Sequence, residues 1–147
     1  MGKQLSIILQ WRGPFENLNK IFTCPCVYLV LTAKKSKRGK WNPLSYEIID
    51  LGQTGGNPKE KESYDFSERK KIWIKTKQKN GYVVFKFANM PENQYKEDDR
   101  KIIECFLREK HGPLKCGPNY AADFNKGNVI KILNSRKYKP LYDKYLK

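Results

Sequence analysis

The stretch "CVYLVLTA", residues 26–33, decides how the rest of the chain is read. Val27, Leu29 and Leu31 alternate with Tyr28, Val30 and Thr32, the period of two that defines a strand, and Tyr28 therefore stands on a fixed face. The lysine-rich "KKSKRGKWNP" (34–43) reads as a long hairpin loop leading into "YEIIDLGQTGG" (46–56). There Ile48, Ile49 and Leu51 make a second apolar strand, which Gly52 and the Gly55-Gly56 pair bring to an end. Strict alternation puts Tyr46, Ile48 and Asp50 on one face, and a matching hairpin register sets Asp50 on the same side of the sheet as Tyr28. A carboxylate at the exit of a buried strand is either badly placed for stability or well placed for chemistry.

Outward from this hairpin, "QLSIILQW" (4–11) has strand character, and "GPFENLNKIF" predicts a turn and a short helix capped near Asn17. Residues 57–81 begin as a polar loop and turn helical near Phe66, with Phe66, Trp73 and Ile74 as the buried side and Gly81 as the stop. Arg69, Lys70, Lys71, Lys75 and Lys77 leave this helix strongly basic. "YVVFKFAN" (82–89) is a third strand. Residues 91–112 form a second helix with acids early, bases late, an apolar set in Ile102, Ile103, Phe106 and Leu107, and Gly112-Pro113 beyond its end. "NVIKILN" fits helix or strand, and "KPLYDKYLK" suggests a short terminal helix. The sum is one α/β domain of the α+β kind over residues 1–147, with about three mainly antiparallel strands flanked by helices.

The chain carries 30 Lys plus Arg against 15 Asp plus Glu, a formal charge of +15. Such an excess calls for a polyanion, and nucleic acid leads because neutralised phosphates release their counterions. An acidic membrane would need an anchor or a lipid signal, and the sequence offers neither, nor an export signal, so an intracellular protein, cytoplasmic or nucleoid-associated, is expected. Five basic residues, Lys34, Lys35, Lys37, Arg38 and Lys40, crowd the hairpin beside Trp41, and Lys70 and Lys71 add to the helix; all suit contact with a phosphate backbone, although a lysine-rich loop is as often merely solvated. Cys24, Cys26, Cys105 and Cys116 read as reduced thiols, since the one-residue gap of "CPC" is short for a pair of zinc ligands.

A tyrosine and a carboxylate on one sheet face, a basic helix, and Glu104 on a later helix supply the residue types that phosphodiester cleavage requires: a metal-binding carboxylate, a group to activate water, and cations for the charge building on phosphate. Plainer readings compete. Arg100 and Arg108 stand four residues either side of Glu104 and would ordinarily form exposed helix pairs. Tyr28 could simply pack, Asp50 cap a turn, and Asn119 belong to the turn-rich "CGPNYAADFN".

On these residues the chain resembles the GIY-YIG nuclease superfamily, over about residues 24–120. "CVY" matches the end of the first motif at Tyr28, "DLG" (50–52) is similar to the second with Asp50 in place of its tyrosine, and "ECFLREKHGPLKCGPNY" resembles the glutamate helix followed by proline and asparagine. The resemblance implies a metal-dependent endonuclease acting on DNA, with double-stranded DNA the expected substrate; its alternative is a nucleic-acid-binding module that kept the scaffold and lost catalysis. It further implies that Tyr28 positions or deprotonates water, that Glu104 binds one Mg2+ or Mn2+, that Asn119 supports the site, and that Arg69, or else Lys59 or Lys61, supplies the cation on the first helix. Asp50 is the departure: an ionised aspartate repels phosphate unless a metal lies between them. Oligomeric state and target sequence are not readable from the chain.

Overall fold

The computed structural model describes residues 4–116 and 129–134. Two β-strands open the chain, β1 (Gln4–Leu9) and β2 (Trp11–Phe15), where the sequence suggested one; a 3-10 turn (Leu18–Thr23) follows, capped by the Asn17 side chain as expected. Next come β3 (Cys26–Lys35), β4 (Trp41–Thr54), a second 3-10 turn (Pro58–Glu62), α1 (Tyr64–Lys75), β5 (Tyr82–Asn89), α2 (Glu97–His111) and β6 (Val129–Asn134). The undecided "NVIKILN" is thus a strand, paired in parallel with β1. The anticipated terminal helix and Asn119 lie outside the described residues.

The main sheet is antiparallel with strand order β2-β5-β3-β4, so β3 is central and β4 lies at an edge. Both faces are covered. Val27, Leu29 and Leu31 of β3 pack with Ile102, Ile103 and Leu107 of α2, while Tyr28 and Val30 pack with Phe66 and Trp73 of α1 and with Ile21 and Phe22 of the first turn. The alternation read from "CVYLVLTA" therefore sorts the side chains between two cores. α1 ends at Lys75, where the Thr76 N–H closes back on the preceding turn, earlier than the Gly81 stop; Ile74, expected inside, is 45% exposed. The hairpin loop is also shorter than its composition suggested, because β3 and β4 stay paired out to Lys35 and Trp41.

The decisive irregularity is in β4. Leu31 pairs with Ile48 but Val30 pairs with Asp50, so Ile49 is an extra residue, a bulge. Tyr46 and Ile48 consequently belong to the α2 side, whereas Asp50 crosses to the face of Val30 and Tyr28. The expected three-residue face of Tyr46, Ile48 and Asp50 is therefore incorrect. The juxtaposition of Asp50 with Tyr28 holds, and the bulge produces it. The outer edge of β4 is closed by the Cys116 N–H, which donates to the Ile49 carbonyl at 2.9 Å, and by the Arg108 guanidinium on the Leu51 carbonyl.

Tyr28 lies directly opposite Gly52, and a Cβ at position 52 would overlap the tyrosine's Cζ and hydroxyl. The glycine is needed for this close approach. Gly52→Ala is expected to lower unfolding free energy by about 1–3 kcal/mol, as overpacking does. In a Tyr28→Ala background the same change becomes nearly neutral, and an undiminished cost there, measured by denaturant melts, would refute the contact as its cause.

Candidate active site

At the bulge, side chains from both helices converge on one carboxylate. Asp50 is fully buried. Its Oδ2 accepts from Trp73 Nε1 at 2.8 Å and from Arg69 Nη2 at 2.7 Å, both from α1; its Oδ1 accepts from the Leu51 N–H at 2.8 Å and from Arg108 Nη2 of α2 at 3.3 Å. A buried charge persists only when paired and hydrogen-bonded, and this one is saturated. Asp50 thus clamps α1 and α2 to the sheet edge and aims Arg69, with its own oxygens already used.

Arg108 continues the network to Glu104, whose Oε1 accepts from Arg108 Nε at 3.1 Å. The pairing four residues apart is the one the sequence offered, but it is inside: Arg108 is 6% and Glu104 16% exposed. Arg100 turns elsewhere, to Gln53 and Glu92. Burial pushes the Glu104 carboxyl above its ordinary range, outweighing the nearby Arg108 and Arg69. Burial also raises the Tyr28 hydroxyl, against the pull of Arg69 and with reinforcement from Asp50 and Glu104. For Arg69, burial opposes the charge, but Tyr28, Asp50 and Glu104 together hold it firmly protonated. Tyr28, Asp50, Arg69 and Glu104 therefore share one electrostatic neighbourhood.

An open cavity of about 220 Å3 adjoins this network, lined by Tyr28 and Arg69 together with Gln53, Glu60, Ser63 and Asp65 and walled by Phe22 and Phe66. Arg69 faces it, and neither Lys59 nor Lys61 does. The Tyr28 side chain is 4% exposed, and among the described residues nothing hydrogen-bonds to its hydroxyl. Asp50 and Glu104 stand behind the cavity rather than on its wall. Within the described residues, no three His, Cys, Asp or Glu side chains come together as a metal-binding group. The four cysteines are free; the half-buried Cys24 thiol, which donates to Asn89 Oδ1 at 3.0 Å, is lowered to about 6, chiefly by the neighbouring Cys26 side chain.

The basic residues divide. Lys34, Lys37, Arg38 and Lys40 are exposed on the hairpin, whereas Lys35 is tied to Glu16 at 2.8 Å and lies over the Trp41 and Tyr82 rings. On α1, Lys70 donates to Asn19 and Lys71 to Glu68. Seven residues separate Tyr28 from Lys35 along β3, which at about 3.3 Å each sets the hairpin tip roughly 20 Å from the cavity. Trp73, Arg108, Glu60 and Asp65 were not singled out from sequence as site residues. The spacing of Arg69 and Trp73, four apart on one helix, was the available signal for the first of them.

No family model matches the chain, and neither the curated proteins nor the solved structures yield a match. No helix among the described residues is long and apolar enough to cross a membrane.

The two buried carboxylates should respond differently to neutralisation. Asp50→Asn leaves two guanidinium groups and an indole facing an amide, and is expected to destabilise by about 3–5 kcal/mol. For Glu104, a raised folded pKa means the protonated form is favoured in the fold, so its contribution is fully present at low pH and is lost as pH rises through that pKa. Glu104→Gln, which mimics the protonated form, should therefore fare progressively better against the parent as pH goes from 5 to 8. Thermal melts of both variants across that range check the contrast.

Proposed function

We propose that the chain is a divalent-metal-dependent endonuclease that hydrolyses phosphodiester bonds in DNA, with its reaction centre at the Tyr28–Arg69 cavity. The observation that carries this reading is a buried tyrosine hydroxyl, without a partner among the described residues, beside a guanidinium on the wall of an open cavity. Arg69, held by Asp50, meets a phosphate oxygen with a positive charge fixed before substrate arrives. The Tyr28 hydroxyl orients the attacking water and, when ionised, takes its proton. A Mg2+ or Mn2+ bound in the cavity would supply further positive charge against the phosphate. Asp50 acts through Arg69, so the negative charge that would repel phosphate is spent on the arginine pair. The exposed Lys34, Lys37, Arg38 and Lys40 extend a basic surface along which a duplex could lie.

One observation favours the alternative, a nucleic-acid-binding module without catalysis: Glu104 is paired with Arg108 and is not on the cavity wall.

Supercoiled plasmid incubated with Mg2+, Mn2+ or chelator separates the two. Metal-dependent nicking that falls at least a hundredfold in Tyr28→Phe and Arg69→Ala is the expected result; salt-sensitive binding without any product supports the module instead. Because burial keeps the tyrosine protonated at neutral pH, its ionised fraction grows about tenfold per pH unit below its pKa. Cleavage should rise with pH from 6 to 9, and a maximum near neutrality would assign the base to another group.

A further inference from the structure

The chain has twice as many basic as acidic residues, and most described carboxylates are taken up by them. Glu16, Glu47, Asp50, Glu68, Glu92, Glu97 and Glu104 all sit in ion pairs. Glu60 and Asp65 make none among the described residues, and both line the Tyr28 cavity. Two carboxylates without an ion pair on the wall of one cavity are unfavourable on charge alone, because they repel each other unless a cation lies between. Tyr28 lines the same cavity; its hydroxyl lies over Gly52, is buried and has no hydrogen-bond partner among the described residues, and a buried donor of this kind needs a ligand or an ordered water to satisfy it.

We propose that a hard divalent cation, Mg2+ or Mn2+, is held in this cavity by the Glu60 and Asp65 carboxylates, with Tyr28 bonded to one of its waters. The inference rests on the nuclease reading only for the cation's purpose. Mg2+ commonly uses one or two carboxylates and keeps several waters, so a third protein carboxylate is not required, and a cavity of about 220 Å3 leaves room for that hydration. Glu60 is already fixed, its Oε2 accepting from Thr54 Oγ1 at 3.2 Å, while Asp65 lies in the first turn of α1, whose Ser63 cap also faces the cavity. Glu104, by contrast, has one oxygen on Arg108 and does not line this space. It then serves as part of the buried charge balance behind the site.

The test is binding of metal to the full chain, read without reference to cleavage. Tb3+, a hard oxygen-seeking ion whose luminescence is sensitised by nearby tyrosine and tryptophan, is titrated into the protein and competed with Mn2+. Saturable emission is expected for the parent; Kd should weaken at least tenfold in Glu60→Gln and in Asp65→Asn and stay within about twofold in Glu104→Gln. Both altered residues are solvent-accessible, so the variants should fold, and melting curves recorded without metal confirm it. Mn2+ paramagnetic resonance gives a second count of bound ion. Absence of saturable binding in the parent, unchanged binding in a folded Glu60→Gln Asp65→Asn double variant, or loss confined to Glu104→Gln would each overturn the proposal. Metal bound here without plasmid cleavage sinks the nuclease reading alone, whereas cleavage supported by a metal on Glu104 sinks this one alone.

Discussion

The structure turns on a single buried carboxylate that has been given as many donors as it can use. Asp50 takes two contacts from α1, one from α2 and one from the backbone beside it. Because the two helices cover opposite faces of the sheet, only a group on the edge strand can be reached by both. The bulge at Ile49 places Asp50 at that position. Removing the charge would not simply delete an ion pair, since the Trp73 indole would lose its acceptor inside the fold and Arg108 would lose one of its own. The same carboxylate fixes the direction of Arg69, so the integrity of the edge and the electrostatics of the cavity are one problem.

Much of the scaffold was legible. Strong alternation gave β3, the run "YVVFKFAN" gave β5 to the residue, and the apolar set in 102–107 with acids early and Gly112 at the end gave α2. These signals are local, and local signals survive folding. The faces of β4 were not legible, because one inserted residue reverses the parity of everything after it and nothing in "YEIIDLG" marks the insertion. Ile74 misled for a related reason: helix periodicity fixes which residues neighbour one another, but the angle at which the helix docks decides which neighbours are covered.

The candidate site was partly legible. Asp50 was conspicuous as a charge in an apolar strand, and that oddity was real: arginine and indole donors converge on it. Arg108 was visible only as an ordinary helix partner of Glu104. Positions 104 and 108 each follow a core residue, Ile103 and Leu107, so both flank the buried stripe, and this was the clue that their pair lies inside. Glu60 and Asp65 carried no such clue. They fall in a polar loop and a first helical turn, where acids are commonplace, and only the cavity distinguishes them.

The treatment of the sheet margins has a bearing on how copies of this chain meet. On one side the carbonyls of Ile49 and Leu51 are already occupied, and on the other β2 contains Pro14, which has no amide hydrogen to offer an incoming strand. These features interrupt the ladder at each border of the four-stranded sheet. For a chain with this share of isoleucine and aromatic residues, these interruptions work against fibrillar self-association along that sheet, in addition to the mutual repulsion of its surplus positive charge.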